Sequence, residues 1–213
     1  NCYAILSSSN KQFPLFNGAT EINHKDYDTF LKTLKYKFNS ENNEIGDLIK
    51  IKKNKLEFFI DCGNPPTHNF AQNYQAGCLS FELISNKQKV ICNSGYGKYL
   101  PSKLMLLSCS TAAHSTLYIN DTSSCTFQKN KSINKVFGNS LLEKHKIISK
   151  NYVNEKDYYL ITASHNGFEK KIGYIHTRSI KILKKKDKIY GQDDLKKTKK
   201  YFSSLNYFIR FHI

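Results

Sequence analysis

The residue types that could carry chemistry in this chain are its histidines and the amide and tyrosine side chains of segment 61–125. A histidine can act as a general base or bind a metal, while amides and phenols form hydrogen bonds with polar ligands. The seven histidines show no HxH or HExxH spacing, so spacing alone predicts no metal site. His114 lies among the small residues Ala112, Ala113 and Ser115. This position suits a metal ligand, a catalytic base or a neutral interior histidine.

Other signatures of catalysis are absent from the sequence. It has no GxSxG elbow and no phosphate-binding loop, and Gly95-Tyr96-Gly97 lacks the third glycine of a dinucleotide site. The six cysteines form no CxxC pair, which argues against a zinc ribbon or a thioredoxin-type site. Buried free thiols are therefore expected, and disulfides remain an alternative if the protein is exported.

The net charge of +16 would suit a polyanionic partner such as nucleic acid, anionic lipid or acidic glycan. Of the 33 basic residues, however, only Arg178 and Arg210 are arginines. Nucleic-acid-binding proteins depend strongly on arginine, whose planar group matches phosphate and guanine. The lysines therefore indicate either a solvated surface or a polyanion-binding face. No apolar run approaches the roughly 20 residues that span a bilayer, so no transmembrane segment is predicted.

The elements that would position these residues are mostly strands. Residues 25–38 predict an amphipathic helix, because apolar residues recur there at helical spacing. No helical period is visible after residue 40, and from about residue 48 short β-branched and aromatic runs alternate with turn signals. Asn86-Lys87 predicts a tight hairpin. The predicted strands are 55–61, 78–85, 88–93, 114–120, 143–149, 157–165, 172–183, 187–190 and 206–213.

The alternation over 172–183 is typical of a half-buried antiparallel strand. The lysine run 184–188 predicts a hairpin tip, the run 196–200 predicts an exposed loop, and Asp193 and Asp194 suit a turn. The fold class predicted from these patterns is mainly β, an antiparallel β-sandwich with a short N-terminal helical segment.

Several short motifs occur in a fixed order along almost the whole chain. They include Leu79-Ser80-Phe81-Glu82, a strand that ends in Asn93-Ser94-Gly95, and a Ser-Thr-Ala-Ala-His-Ser-Thr-Leu run over 110–117. Later pieces are Ser164-His165-Asn166-Gly167-Phe168 and Ile209-Arg210-Phe211-His212. Each motif is weak alone, but in this order they resemble the heparinase II/III-like family of polysaccharide lyases, in its C-terminal β-sandwich portion.

The resemblance implies an architecture. Members of the family join an N-terminal helical toroid to a C-terminal sandwich, so residues 1–50 would lead out of a toroid and 51–213 would form the sandwich domain. The sequence begins with Asn1 and stops inside an apolar run at Ile213, so both ends are expected to be cut. The chain would then be a fragment whose partner includes its own missing toroid.

The resemblance also implies a chemistry, the cleavage of uronic-acid glycans by β-elimination. The family's tyrosine acid–base residue comes from the toroid, and its sandwich supplies a catalytic histidine and a structural zinc site. Carried over by position, the catalytic histidine falls on Asn73, and the zinc ligands fall on Gln75, Asn93 and His114. Only His114 is retained, and amides are poor zinc ligands, so no metal cofactor is expected.

The site residues predicted on this basis fall into two groups. His114 and, as a replacement for the lost imidazole, His68 are the candidate catalytic residues. The candidate glycan-binding residues, with turn formation or strand-end packing as the alternative, are Asn73, Tyr74, Gln75, Asn93, Tyr96 and Tyr99.

The leading hypothesis is a lyase that acts on acidic polysaccharide in the cell envelope, with a periplasmic location implied by the resemblance. The first alternative is a relative that binds acidic glycan without cleaving it. The second is a basic protein that binds nucleic acid or a membrane surface, although no nucleic-acid partner is expected from the lysine-rich composition.

Overall fold

The computed structural model describes residues 2–22, 24–37, 43–128, 141–199 and 204–213. Within these ranges the chain forms four short α-helices and thirteen β-strands. The helices are α1 (Cys2–Leu6), α2 (Lys25–Thr33), α3 (Ser102–Ser108) and α4 (Glu169–Ile172). The strands are β1 (Glu44–Ile45), β2 (Leu48–Lys53), β3 (Leu56–Asp61), β4 (Phe81–Ser85), β5 (Gln88–Ile91), β6 (Leu117–Ile119), β7 (Thr126–Phe127), β8 (Leu141–Glu143), β9 (Ile147–Asn154), β10 (Tyr158–His165), β11 (Tyr174–Leu183), β12 (Ile189–Lys197) and β13 (Tyr207–Ile209).

Two antiparallel sheets face each other across the main core. One sheet has the order β1-β2-β3-β4-β5 and the other has the order β12-β11-β10-β9. Their inner faces share a buried cluster that includes Phe58 and Ile60 from the first sheet and Ile161 and Ile180 from the second. The predicted fold class, a mainly β antiparallel sandwich with a short N-terminal helical segment, is confirmed.

The register of the five-stranded sheet follows from its apolar alternation. Ile49 pairs with Ile60 and Ile51 pairs with Phe58, so all four side chains lie on the core side. The intervening residues of the same strands face the other way. That outer face is covered by the N-terminal part of the chain, because residues 6–16 pack on it through apolar side chains. Polar side chains under this cover are buried and need hydrogen-bond partners.

Tight turns join the strands at one end of the sandwich. Asn86 and Lys87 have φ angles of 51° and 65°, and two successive positive φ angles are typical of a type I′ hairpin. The predicted hairpin between β4 and β5 is therefore confirmed. The lysine run 184–188 lies in the turn between β11 and β12, as predicted.

The helices depart from the prediction in two ways. Helix α2 ends at Thr33 rather than at residue 38, and Phe38 lies outside the described residues. The prediction that no helix follows residue 40 is wrong, because α3 and α4 both form there. Helix α3 leaves three of its four apolar side chains exposed, Leu104, Leu106 and Leu107, so it lacks the buried stripe by which an amphipathic helix is recognised.

Several strand boundaries also differ. Strand β2 crosses the predicted domain boundary between residues 50 and 51, since it pairs along its whole length with β3. The predicted strand 143–149 comprises the end of β8 and the start of β9. Strand β12 runs to Lys197, so the run 196–200 begins inside a strand rather than in a loop. Asp193 and Asp194 also lie within β12, which corrects the expected turn.

The cysteines and the helices bear on two further expectations. All six cysteines are free thiols, and Cys62, Cys78, Cys109 and Cys125 are buried. Among the described residues, no helix combines the length and the apolar character that crossing a bilayer would require.

Candidate functional site

A buried polar clamp fixes the N-terminal segment on the sandwich, beside the residues that the sequence predicts as a glycan site. The Glu82 carboxylate accepts a hydrogen bond from the Leu15 backbone N–H at 2.9 Å. The Asp61 carboxylate accepts one from the Asn17 side-chain amide at 3.0 Å. Gln75 Oε1 accepts one from the Gly18 N–H at 3.1 Å. We call these three contacts the amide clamp.

Gly18 is required at its position in the clamp. Its φ angle is +93°, a conformation that side chains disfavour. A Cβ atom there would also lie 2.7 Å from Asn73 Cβ and 2.8 Å from Asn73 O. The clamp therefore brings the 17–18 segment directly against Asn73, the position that the resemblance equates with a catalytic histidine.

Gln75 uses both atoms of its amide within the protein. Its Nε2 donates to Gly95 O at 2.7 Å and to Ser108 O at 2.9 Å, while Oε1 is bound to Gly18. Its side chain is 1% exposed. One amide thus joins the N-terminal segment, the loop after β5 and the end of α3, which is the kind of cross-link that a structural metal ion provides.

Asn93 is also buried and bonded. Its backbone N–H donates to Glu82 Oε1 at 3.0 Å, and its side-chain Oδ1 accepts from the Ser115 N–H at 3.0 Å. Burial raises the pKa of Glu82, with hydrogen bonds from the Asn93 and Leu15 N–H groups acting in the opposite direction. Asn93 therefore joins the end of β5 to the segment that follows His114.

His114 is enclosed in the protein. It is 1% exposed, and its Nε2 has no hydrogen-bond partner. Burial lowers its pKa to about 3, and His212 nearby acts in the same direction, while a backbone hydrogen bond to Ser108 opposes the shift. A Cβ atom at Gly77 would lie 3.0 Å from the His114 ring. The imidazole is thus neutral, packed against glycine and held away from the surface.

The residues at the family's zinc position do not fit a zinc ion. Gln75 and Asn93 have their side-chain oxygen atoms bound to backbone N–H groups. Two nitrogens at the three carried-over ligand positions have no hydrogen-bond partner, His114 Nε2 and Asn93 Nδ2. The Asn93 nitrogen belongs to an amide NH₂ group, which donates hydrogen bonds rather than binding a metal, so His114 supplies the one suitable ligand atom. Across the described residues, no group of three or more His, Cys, Asp or Glu side chains is arranged to hold a metal.

The remaining predicted residues divide by exposure. Asn73 and Tyr99 lie at the surface, and Tyr99 is 88% exposed with the Lys98 Nζ atom 5.5 Å from its ring. Tyr96 is half-buried, and its hydroxyl lies 3.5 Å from Met105 Sδ. Tyr74 is buried in a separate apolar cluster. The backbone of His68 lies in a short 3₁₀ helix, His68–Phe70, and its side chain lies outside the described part of the chain.

The structure thus brings together Gln75, Asn93 and His114 in the interior, with Asn73 on the surface beside Gly18. The buried side chains of Tyr74, Gln75 and Asn93 do not reach a ligand, so their contribution is to position the loops around them. Sequence reasoning missed Glu82 and Asp61 as members of the clamp. The sequence did point to Glu82, since it is the last residue of the Leu79-Ser80-Phe81-Glu82 motif.

A second buried network lies where β10, β11 and β12 meet. His165 and His176 face each other across the β10–β11 pair, and His165 Nε2 lies 3.0 Å from His176 Nδ1. The Gly167 N–H donates to His165 Nδ1, and His176 Nε2 lies 2.6 Å from Asp193 Oδ1. These contacts fix the tautomers: His165 carries its proton on Nε2 and donates it to His176, which donates from Nε2 to Asp193.

Arg178 completes this network. Its Nε and Nη2 atoms donate to the two oxygens of Asp193 at 2.7 and 2.8 Å. Its Nη1 donates to Leu79 O at 2.8 Å and Ser115 O at 3.0 Å, so it joins the second sheet to the site around His114. Arg178 therefore has a bidentate carboxylate partner in Asp193. Asp193 is expected in a turn but is the buried partner, because β12 places it opposite Arg178.

His145 extends the same region. Its Nε2 donates to Gly63 O at 3.1 Å, and its Nδ1 lies 3.2 Å from Cys125 Sγ. Burial lowers the pKa of His145 to about 4 and raises that of Cys125 to about 11, so this pair holds a neutral thiol beside a neutral imidazole. We use the name histidine end for this end of the sandwich. It comprises the His145–Cys125 pair, the network of His165, His176, Arg178 and Asp193, His114, and the amide clamp.

Comparison with known proteins agrees with the fold. A family model described as "Heparinase II/III-like, C-terminal" matches residues 43–213. A solved heparinase III structure superimposes with a TM-score of 0.68 at 13% identity, over 94% of this chain and 32% of that chain. Heparan sulfate lyase HepC from Pedobacter heparinus gives 0.59 at 14% identity, over 87% of this chain and 30% of that chain. No match is found among the curated proteins.

The chain thus spans about a third of the length of the solved structures that it resembles. At this identity those structures support the fold alone, whereas the family model covers most of the sequence. The chain belongs to the heparinase II/III-like family and matches its C-terminal domain.

Proposed function

We propose that the protein is a polysaccharide lyase that acts on uronic-acid-containing glycans, with this chain as its sandwich part. The observation that carries the proposal is the family match over residues 43–213. The names of the solved relatives, heparinase III and heparan sulfate lyase, support an acidic glycan as the substrate class.

In the proposed reaction a base removes the proton beside the uronate carboxylate. The bond to the glycosidic oxygen then breaks, a carbon–carbon double bond forms in the uronate ring, and an acid protonates the leaving oxygen. Groups that hydrogen-bond to the substrate carboxylate stabilise the charge that develops in the intermediate. Nothing is oxidised or reduced in these steps.

Within this chain, two surface side chains are suited to holding the glycan, and one of them, Asn73, lies beside Gly18. Asn73 offers an amide and Tyr99 offers a phenol with a lysine beside it, and both are exposed. The amide clamp keeps the backbone beside Asn73 in place. Asn73 and Tyr99 would therefore bind the substrate, while Gln75 and Asn93 act as positioning residues.

The acid and the base would come largely from elsewhere in the protein. His114 is neutral and enclosed, so it does not abstract a substrate proton as placed. His68 remains a candidate base on the loop that leads to Asn73. Because the chain spans about a third of its solved relatives, a preceding toroid domain is the proposed source of the other catalytic groups.

A second candidate function is binding of acidic glycan without cleavage. It is favoured by one observation: the position equated with the family's catalytic histidine is Asn73, and an amide does not act as a base at neutral pH. We also propose that the protein works without zinc at the family position, since Gln75 makes the cross-links there. A location in the cell envelope, in the periplasm, remains part of the proposal.

The test is a lyase assay on the full-length protein with a panel of uronate glycans, followed by ultraviolet absorbance of the unsaturated product. A rise that depends on the protein supports the lyase. If no substrate gives a rise while glycan still binds, the binding function holds and the lyase is rejected. Asn73→Ala is expected to weaken glycan binding, and the matched variant is Asn69→Ala on the same loop, another exposed asparagine.

A further inference from the structure

Four turns meet at the end of the sandwich opposite the histidine end and form one continuous surface. The Asn86 N–H donates to Lys55 O at 3.0 Å, which joins the β4–β5 turn to the β2–β3 turn. Lys53 Nζ donates to Lys186 O at 2.9 Å, which joins the β2–β3 turn to the β11–β12 turn. The Lys184 N–H donates to Asp157 O at 2.8 Å, which adds the β9–β10 turn.

This surface is strongly basic, and we call it the lysine end. Its four carboxylates are Glu57, Glu155, Asp157 and Asp187, and three of them pair with lysines of the surface. Lys52, Lys53 and Lys185 are the lysines in those pairs. The nine lysines of the surface are Lys52, Lys53, Lys55, Lys87, Lys156, Lys184, Lys185, Lys186 and Lys188.

A groove opens on the lysine end between two of the turns. It has a volume of about 390 Å³, and its walls are Ser9, Lys52, Asn54, Lys55, Glu57, Asn86 and Lys87. The carboxylate in the groove is already engaged, because Glu57 Oε2 accepts from the Ser9 N–H at 2.8 Å and Oε1 lies 3.6 Å from Lys52 Nζ. The free donors that face the groove are therefore ammonium and amide groups, which suit an anionic ligand.

The chemistry of this end favours a glycan over a nucleic acid. Neither arginine of the chain is here, since Arg178 lies in the histidine end and Arg210 contacts Tyr118. Base stacking uses exposed aromatic rings. Tyr158 and Tyr159 are only partly exposed, and each has a lysine ammonium group over one face of its ring, at 4.2 and 4.4 Å, so Tyr190 is the exposed tyrosine next to this end. Lysine and asparagine side chains suit sulfate, carboxylate and hydroxyl groups.

We propose that the lysine end is a second glycan-binding surface, which holds a sulfated or carboxylated polysaccharide chain apart from the site around Asn73. The proposal deepens the proposed function and takes its substrate class from it. Strand β3 runs from Glu57 at the lysine end to Asp61 in the amide clamp, which corresponds to about 14 Å along the strand. A glycan of several sugar units could therefore contact both places.

The test compares two triple variants that remove the same charge. In the first, Lys55, Lys87 and Lys186 of the lysine end become alanine. In the control, Lys32, Lys35 and Lys37, which are exposed in and after α2, become alanine. Binding of a size-defined heparin oligosaccharide is measured by calorimetry at several salt concentrations. The first triple is expected to bind about tenfold more weakly with a smaller salt dependence, and the control less than about twofold more weakly.

Each outcome decides the proposal. Equal losses in both triples would mean that the charge acts diffusely, and the proposal would be rejected. Competition by double-stranded DNA of equal charge, as effective as competition by the glycan, would also reject it. Unchanged thermal unfolding of both triples excludes misfolding as the cause. If the lysine-end triple loses oligosaccharide binding but keeps lyase activity on short substrates, the second surface is supported independently of the catalytic site. If the parent protein binds the oligosaccharide at the lysine end but forms no product from any glycan, only the lyase function is rejected.

Discussion

The two ends of the sandwich carry polar residues in opposite ways. At the histidine end, the buried residues Arg178 and His176 bind the Asp193 carboxylate, whose side chain is 7% exposed, through hydrogen bonds of defined direction. At the lysine end, most of the lysines are exposed to water, and Lys55, Lys87 and Lys186 have no carboxylate partner among the described residues. The histidine end holds the residue types that usually indicate catalysis, yet its geometry serves to join sheets. The lysine end carries no catalytic motif in the sequence, yet it has the free hydrogen-bond donors that a ligand needs.

The physical reason for the difference is burial. A buried polar atom must be paired inside the protein, because the cost of leaving it unpaired is several times the gain from pairing it. The imidazoles of His145, His165 and His176 and the carboxylate of Asp193 are therefore committed to the fold, whereas His114 Nε2 is buried without a partner. Exposed lysines are satisfied by water, so they remain available for a partner and contribute little to stability.

The largest expected loss of stability comes from breaking an ion pair at the histidine end, and the matched change breaks an ion pair at the lysine end. Asp193→Asn leaves Arg178 buried without its counter-charge, and we expect the free energy of unfolding to fall by about 3–5 kcal/mol. The matched change at the lysine end is Asp157→Asn, which removes an exposed partner of Lys185 and should cost less than about 1 kcal/mol. Urea unfolding followed by circular dichroism measures both. Similar costs at the two ends would contradict the comparison.

Between pH 7 and 5, the change in the free energy of unfolding with pH should come from the buried groups of the histidine end. Burial lowers the pKa of His145 to about 4 and of His114 to about 3, and it lowers that of His165 well below the usual value. These groups stay neutral in the folded protein, so their stabilising effect is complete above pH 6.5 and is lost as the pH falls towards the folded values. Near pH 5 each binds about one proton on unfolding, which corresponds to about 1.4 kcal/mol per pH unit.

Asp61 acts in the opposite direction in the same window. Its pKa is raised to about 6 by burial, against hydrogen bonds from Gly63 and Asn17 that lower it. The folded state therefore holds this proton between about pH 4 and 6, and acidification favours folding through this group. The three histidines and Asp61 together give an expected loss near pH 5 of about 3 kcal/mol per pH unit, and Asp61→Asn should make it steeper. A stability that does not change between pH 7 and 5 would contradict the neutral, buried histidines.

The sequence predicts the local features of this molecule better than its long-range polar contacts. The Asn86-Lys87 hairpin follows from two turn residues between apolar runs, and it forms as predicted. The alternation over 172–183 puts His176 and Arg178 on the same face as Ile180 and Ile182, so their burial could have been inferred. The pairing with Asp193 could not, because it depends on the register between β11 and β12.

The candidate site shows the same limit. Glu82 binds the N–H of Leu15, 67 residues away, and a backbone donor leaves no trace in the sequence. The motif over 110–117 singles out His114, but only the fold shows that its ring is packed against Gly77. The leucines of α3 point outward, so that helix carried no periodic signal.

A middle-sized effect is expected at Gln75, where an amide occupies a zinc-ligand position of the family. Gln75→Ala leaves the Gly18 N–H without a partner and removes the buried amide donor from the carbonyls of Gly95 and Ser108, so stability should fall by about 2–4 kcal/mol. The control is Gln72→Ala, an exposed glutamine three residues earlier, which should change stability by less than about 0.5 kcal/mol.

The same position predicts how the protein responds to chelators. If the amide makes the cross-links, then purified protein should contain far less than one zinc per chain, and EDTA should leave the thermal unfolding temperature unchanged. Elemental analysis by mass spectrometry and a thermal scan measure these two quantities. One tightly bound zinc per chain, with a lower unfolding temperature after chelation, would show that a metal supports the fold instead.

The smallest expected effect on stability belongs to the lysine end. Alanine at Lys55, Lys87 and Lys186 removes three exposed ammonium groups that have no carboxylate partner among the described residues. The free energy of unfolding should therefore stay within about 0.5 kcal/mol of the parent protein, or rise slightly because like charges are removed from a chain with a net charge of +16. Urea unfolding at low and high salt measures this change. A loss above about 2 kcal/mol would mean that these lysines hold the turns together, and their charge would then need no ligand to explain it.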